Sequence, residues 1–316
     1  MSSSSALTVF APATVANVAS GFDVLGFALQ NPGDSVRLEV TDRKEVRIVT
    51  ISGDNGRLPR EAEKNTAAVA AASFLRKVGF PFGLDIALTK QMPLSSGLGS
   101  SAASSVAAVF GANLLAGSPL SRRDLLGFTL EAEQVACGAA HADNVAPALL
   151  GGFVLIRSYA PLDIVKLPVP PGLAAAVVHP HTEIKTEDAR RILKKDLRLT
   201  DAVRQWGNLA ALVAALYEQD LSLLGRSLQD VVAEPRRALL IPGFSMVKEA
   251  AMGAGALGCS ISGSGPSVFS LCASLEKAGK VGRAMQAGFL KSGLESDLYV
   301  SEVNCSGPML VEEKEA

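Results

Sequence analysis

The order of apolar segments in this chain predicts an α+β fold built as two domains. Three observations point to it. Strand-like alternation is interleaved with helical repeats through the first half; prolines cluster at Pro161, Pro168, Pro170 and Pro171 beside Gly172; and the chain closes on the succession strand, strand, helix, strand. The proline cluster puts the boundary between Tyr159 and Gly172, giving domains of residues 1–165 and 166–316.

The elements follow in order. Leu7–Phe10 reads as a strand running into Ala11-Pro12-Ala13-Thr14, followed by a polar loop with Asn17, Ser20 and Gly21. Alternation over Ser35–Val40 and Glu45–Ile51 predicts two strands paired with each other, and Gly53-Asp54-Asn55-Gly56 a turn. Ala67, Ala68, Ala71, Phe74, Leu75 and Val78 recur at helical spacing within Asn65–Gly79. Leu84–Leu88 is a strand and Ser101–Leu115 a small-residue helix. Ser121-Arg122-Arg123-Asp124 opens another helix as a capping box, and Gly152–Ile156 is a buried strand. The second half gives strand Ala174–Val178, helices between Glu187 and Gly253, strands Leu257–Ile261 and Ser267–Leu271, helix Leu275–Leu290 and strand Asp297–Val303. The opening serine run and Glu312-Glu313-Lys314-Glu315 are expected to be frayed tails.

Composition narrows the function. Of 316 residues, 48% are apolar and 19% charged, which excludes wholesale disorder. Lys plus Arg number 30 against 31 for Asp plus Glu, so the basic excess of a nucleic-acid binder is absent. Aromatics at 5% are too scarce for base-stacking platforms. A mean hydropathy of +0.27 directs attention to the uncharged stretch between Lys90 and Arg122. That stretch is Ser, Gly and Ala with Pro93 and Asn113 inside, so no membrane span is expected. MSSSSALTVFAP lacks a basic region and a long apolar core, so no secretory signal is expected and a cytoplasmic location is. Cys137, Cys259, Cys272 and Cys305 are expected as reduced, mostly buried thiols, and His179-Pro180-His181 as a loop following a strand.

The most informative run is Pro93-Leu94-Ser95-Ser96-Gly97-Leu98-Gly99-Ser100-Ser101-Ala102-Ala103. Its glycines let backbone N–H groups turn toward one point, at which the following helix also aims its unpaired N–H groups. Serine hydroxyls add donors and can ligate a hard cation. The run is neither a Walker A loop nor a GxGxxG, since no Lys follows the glycines and Ala102 stands at the third glycine position. Ser262-Gly263-Ser264-Gly265-Pro266 offers similar chemistry or an ordinary hairpin turn, and Asn17–Asp23 is a third polar loop around Gly21.

Together these residues resemble the GHMP kinases. Pro93 to Ala102 is similar to their phosphate loop, Ala11-Pro12-Ala13-Thr14 through Asn17, Gly21, Phe22, Asp23 and Gly26 to their first motif in its homoserine kinase form, and Ile261–Ser267 to their third. His141-Ala-Asp143-Asn144-Val-Ala-Pro147 with Gly151-Gly152 resembles the homoserine kinase form most specifically. The resemblance implies ATP in a cleft between an N-terminal α/β domain and a C-terminal ferredoxin-like α+β domain. It also implies Mg²⁺, phosphoryl transfer to the hydroxyl of L-homoserine in threonine biosynthesis, and a homodimer. Within the same resemblance, a mevalonate-type kinase and a non-catalytic ligand sensor are the other readings.

The resemblance assigns roles residue by residue. The phosphate-loop residues, with Gly263, Ser264 and Gly265, are expected on ATP. Asn65 matches the adenine-contacting position, where a helix cap explains an Asn equally well. Glu133 and Ser101 match the metal ligands, whereas Glu131 points to a different helix face. Asn17, Asp23, His141, Asn144, Arg190 and Arg237 are expected around homoserine, with Asn17, Asn144 and Arg190 at the reaction itself. An arginine fork suits the substrate carboxylate and Asp23 its ammonium. Asp143 is not taken as a base. The first motif departs from the pattern at Val18-Ala19-Ser20, where many relatives read Leu-Gly-Pro.

Overall fold

The computed structural model describes residues 6–311; the serine run and the acidic tail lie outside the described residues. The first half runs β1 (Ala6–Ala16), β2 (Leu25–Thr41), β3 (Val46–Ser52), α1 (Thr66–Lys77), β4 (Gly83–Thr89), α2 (Ser100–Leu115), α3 (Leu126–Cys137), α4 (Ala142–Leu150), β5 (Phe153–Tyr159) and β6 (Leu162–Leu167). After residues 168–173 come β7 (Ala174–Pro180), α5 (Thr186–Arg191), α6 (Leu199–Glu218), α7 (Leu221–Ser227), α8 (Glu234–Arg237) and α9 (Phe244–Gly253). β8 (Gly258–Ile261), β9 (Val268–Cys272), α10 (Leu275–Lys291), β10 (Ser296–Glu302) and β11 (Met309–Val311) complete it.

The first sheet has the order β11-β1-β2-β4-β3, with the β5–β6 hairpin joined to β2. Seventeen residues let β2 serve two neighbours on one side: Ser35–Thr41 pair with β4 and Leu25–Phe27 with β5. The expected pairing of Ser35–Val40 with Glu45–Ile51 does not form. β4 inserts between β2 and β3, antiparallel to the first and parallel to the second. The cause is burial: Leu84, Ile86 and Leu88 of β4 are all buried, whereas Arg47 and Thr50 keep β3 at the exposed edge. The helical crossover α1 makes the parallel pairing possible.

α2 lies flat on this sheet because its residues are small. Ala102 through Asn113 are all buried, and a Cβ at Gly111 would run into Leu38 and Leu7. The capping box before α3 forms, Ser121 N–H donating to Asp124 Oδ2 at 3.1 Å. α4 is not legible from periodicity because Pro147 sits inside it. Proline lacks the N–H that Asp143 O would receive, and that freed carbonyl faces Gly26 of β2, where a Cβ would not fit.

The second sheet is antiparallel in the order β10-β7-β9-β8, the fourth, first, third and second of its strands, which is the ferredoxin-like order. Both its faces are covered. Ala175, Val177, Phe269 and Leu271 join the core of the first domain, while Ala174, Ala176, Val178 and Val268 pack with α9 and α10 residues such as Val247, Val281 and Phe289. β11 returns to the first sheet, pairing with β1 at Phe10↔Met309. Ser301 Oγ also accepts from Gln30 N–H at 2.7 Å.

His179 and Pro180 lie within β7 and only His181 follows the strand; His179 Nδ1 is 3.2 Å from Ser267 Oγ, and no group of three or more His, Cys, Asp or Glu side chains placed to hold a metal occurs among the described residues. Cys259 and Cys272 are free and buried and Cys305 is free and exposed, while the Cys137 side chain lies outside the described set. No described helix is long and apolar enough to cross a membrane.

Phe27 of β2 joins the two sheets, its ring 4.8 Å from Phe153 and 6.0 Å from Phe269 of β9. Replacing it by Ala is expected to cost about 3–5 kcal/mol, read from urea unfolding. A loss below about 1 kcal/mol would show that the ring does not couple the sheets.

Candidate active site

A cleft of about 480 Å³ opens between the domains. Its floor is the phosphate loop, in which Ser95, Gly97 and Gly99 hold φ of +56°, +79° and +69°. Gly99 is the residue before α2, so the loop turns directly into the helix N-terminus. A side chain at Gly97 would strike Ser262 O, and one at Gly99 would strike Thr14 Oγ1 and Asn144 Oδ1.

Hydrogen bonds join the three glycine and serine segments. Thr14 N–H donates to Leu98 O at 3.0 Å, Ser262 Oγ to Gly97 O at 2.7 Å, and Ser267 N–H to Ser96 O at 3.2 Å. Asn17 Nδ2 donates to Gly263 O at 2.8 Å, and Gly263 N–H to Ala16 O at 3.2 Å. The turn reading of Ser262–Gly265 is therefore right about shape, and its position puts Gly263 and Ser264 on the cleft wall.

Leu94 through Ser101 line the cleft, whereas Pro93, Ala102, Ala103 and Gly265 do not. Ala102 and Ala103 are buried behind the loop, and Gly265 lies against Ile241 and Ile184. Asn65 lines the cleft while capping α1: its Oδ1 accepts from Ala67 N–H at 3.1 Å and its Nδ2 donates to Pro59 O at 2.9 Å.

Three buried polar atoms face this cleft without a hydrogen-bond partner among the described residues: Ser96 Oγ, Glu133 Oε1 and His141 Nε2. Unsatisfied buried groups are rare in folded chains, so their convergence here marks a ligand site. Glu133 is carried inward by α3, its Oε2 accepting from Ser101 Oγ at 3.2 Å and lying 3.7 Å from His141 Nδ1. One buried carboxylate with a free oxygen beside a serine hydroxyl fits a hard cation that keeps water and phosphate in its remaining positions. Glu131 is on the other face, accepting from Ser73 Oγ at 2.5 Å. The Glu133 carboxylate raises the pKa of His141, against the opposing effect of burial.

At the opposite end the charges pair with one another. Both Arg190 Nη atoms donate to Asp23, at 3.1 and 3.0 Å. Arg237 is buried, with Nε on Ala189 O at 3.2 Å, Nη1 on Gly263 O at 2.7 Å and its guanidinium 5.0 Å from the Phe22 ring. Asn144 Oδ1 accepts from Thr14 Oγ1 at 2.7 Å, and its amide N–H groups have no partner among the described residues. Asn17 Oδ1 accepts from Asp23 N–H at 2.9 Å, so with its bond to Gly263 the Asn17 side chain already ties the first and third motifs. Asn17, Val18 and Ala19 all hold positive φ, at +71°, +40° and +56°, so the departure from glycine at Ala19 places an alanine in left-handed backbone.

Thr14, Lys90 and Tyr159 were not read from the sequence as part of the site. Tyr159 Oη donates to Asp23 O at 2.8 Å, and Lys90 lines the cleft beside Ser100. The signal for Lys90 was its place as the last charge before the uncharged run; Thr14 lay within the first motif with no role assigned to it, and Tyr159 carried no signal, since its partner is distant in sequence.

The Asp143 carboxyl is buried and pushed up to about 6, chiefly by desolvation and then by the Asp23 charge, with His141 and Arg190 acting the other way. The folded chain thus holds this proton at pH values where the unfolded chain has released it. Its stabilising contribution is present below about pH 4 and lost as pH rises through 6. Asp143→Asn is expected to raise the melting temperature relative to the parent at pH 7.5 by several degrees more than at pH 4. A pH-independent difference in thermal melts would refute the assignment.

The same two-domain architecture recurs in known proteins. Residues 65–152 match the GHMP kinases N terminal domain and residues 212–291 the GHMP kinases C terminal domain. A homoserine kinase of Chlorobium phaeovibrioides is 53% identical over 314 residues, covering 96% of this chain and 98% of the relative. The crystal structure of a homoserine kinase from Cytophaga hutchinsonii superimposes with a TM-score of 0.97 at 58% identity, covering 98% of this chain and 99% of that one. A mevalonate kinase structure with TM-score 0.70 and 14% identity, covering 94% and 99%, shares the fold. With both domains matched, and relatives at this identity aligned along almost its whole length, the chain belongs to the GHMP kinase family.

Proposed function

We propose that this chain transfers the γ-phosphoryl group of ATP to the side-chain hydroxyl of L-homoserine, giving O-phospho-L-homoserine for threonine synthesis. The observation that carries the reading is the Asp23–Arg190 pair at one end of a cleft whose other end is a phosphate loop. An acceptor bearing both an ammonium and a carboxylate can exchange that pair for two new ones. The relatives named homoserine kinase support the same acceptor.

Phosphoryl transfer asks the protein mainly to position reactants and neutralise charge. Loop N–H groups and the α2 N-terminus receive the phosphates, with Ser96 Oγ as a further donor. Gly263 and Ser264 close the site from the second domain. Glu133 and Ser101 would hold Mg²⁺, which when bound neutralises phosphate charge. Arg190 takes the acceptor carboxylate, Asp23 its ammonium, and Asn144 with His141 Nε2 its hydroxyl; Arg237 keeps an Nη2 for the carboxylate while bracing Gly263. Asn17 positions Asp23. The hydroxyl oxygen bonds to the γ-phosphorus as the bond to the β–γ bridging oxygen breaks. In a loose transition state the hydroxyl proton passes to the phosphoryl oxygens, so no side-chain base is required.

The working division is residues 1–165 for phosphate, metal and part of the acceptor, and 166–316 for the third motif and the arginines. Free thiols suit a reducing compartment, and the proposed protein is cytoplasmic and acts on small molecules rather than nucleic acid. A homodimer is part of the reading. Leu199, Val203, Trp206 and Tyr217 are exposed along α6, a helix about 30 Å long, enough to seed the roughly 800 Å² per partner that a stable pair buries.

ADP release is expected with ATP, Mg²⁺ and L-homoserine, and not with mevalonate, L-serine or no acceptor; release with mevalonate alone would overturn the acceptor assignment. Glu133→Gln is expected to lower kcat about 100-fold or more with an unchanged circular dichroism spectrum. Arg190→Met is expected to raise the KM for homoserine about 10- to 100-fold while the KM for ATP stays within twofold.

A further inference from the structure

Both ends of the phosphate loop hang on one buried carboxylate. Asp34, on β2, accepts through Oδ1 from Gln91 N–H at 2.8 Å and Met92 N–H at 3.1 Å, where the chain enters the loop. Through Oδ2 it accepts from Ser100 Oγ at 2.7 Å, where the chain leaves it, and meets Lys90 Nζ. Lys90 in turn donates to Ser100 O at 2.9 Å and Ser104 Oγ at 2.6 Å, within the first turns of α2. The two side chains are 1% and 2% exposed.

The bonding capacities close. An ammonium has three donors and a carboxylate about four acceptor sites, and all are used within the protein. Lys90 therefore lines the cleft without a donor left for phosphate, unlike the lysine that follows the glycines of a Walker loop. An ion pair buried this deeply is a poor source of net stability, since apolar side chains of like volume commonly do as well. What it adds is geometry. A single carboxylate fixes the distance between the loop's entrance and the start of α2, and the ammonium fixes the tilt of the helix's first turn.

We propose that Asp34 and Lys90 are positioning residues for the phosphoryl donor. Their pair holds the segment from Pro93 to Gly99 in its phosphate-receiving shape before ATP arrives, acting through Ser100 and Ser104 rather than by contact. This rests on the kinase reading of the loop and not on the identity of the acceptor. The clamp acts on the donor half of the cleft alone, because Asp23, Arg190 and Asn144 are held by other partners.

The test separates donor from acceptor. Lys90→Met, the double variant Asp34→Asn with Lys90→Met, and Ser104→Ala are purified as full chains and checked for folding by circular dichroism and thermal melting. ADP and a non-hydrolysable ATP analogue are titrated calorimetrically with no acceptor present, and homoserine is titrated separately. The folded Lys90→Met and double variants are expected to bind ADP and the analogue about 10- to 100-fold more weakly and to lose kcat, with homoserine affinity within twofold of the parent. Ser104→Ala, which removes one bond of the clamp and no charge, is expected to weaken ADP a few-fold with homoserine unaffected. Unchanged nucleotide affinity in a folded variant, or equal losses for nucleotide and homoserine, would overturn the proposal. Should Lys90→Met and the double variant not fold, unchanged ADP affinity in Ser104→Ala overturns it alone. If the parent proves to phosphorylate a different acceptor, the nucleotide titrations still decide the clamp.

Discussion

The contact on which the cleft depends is backbone against backbone, between the phosphate loop of the first domain and the Ser262–Gly265 turn of the second. Gly97 has no space for a β-carbon because Ser262 O occupies it, and its own carbonyl is held by Ser262 Oγ. Asn17 spans the same seam to Gly263, which Arg237 also holds from the other side. A side chain at Gly97 would collide with backbone across this line and force the two domains apart. Small residues here are thus a requirement of domain contact.

Around that seam the two sheets supply stiffness. The second sheet shares one face with the first domain's core and gives the other to α9 and α10, so neither domain has an independent interior on the side facing its partner. The first domain supplies the glycine and serine loop at the floor of the cleft, and the second brings Arg190 and Arg237 into its lining from short helices, α5 and α8. The Asp23–Arg190 pair bridges the two domains and keeps each charge partnered.

Much of this was legible in the sequence, and the reasons for the exceptions are local. Glycine, serine and proline spacing marked the three loops because left-handed backbone and close approach admit few residue types. Strand and helix identities followed from periodicity except for α4, where Pro147 obscured the repeat, and β6 and β11, which are too short or too polar to stand out. Sheet order was not legible: the β2–β3 pairing failed because a later strand, more apolar than β3, took the inner position. Motif members stood out locally in the sequence, whereas Asp34 and Tyr159 did not: their hydrogen bonds reach 57 and 136 residues along the chain, and no local pattern encodes such a contact. Asn17 and Arg237 illustrate the remaining gap, since a residue type fixes what a side chain can donate but not whether the protein or the ligand receives it.

The return of β11 to β1 has a mechanical consequence. The chain crosses between the domains twice, once through residues 168–173 and once between β10 and β11, where the bridge Leu29↔Val303 adds a rung. Any displacement of one sheet against the other would also have to part Phe27 from Phe269 and Ser301 from Gln30, so the two crossings and the shared core restrain the same motion.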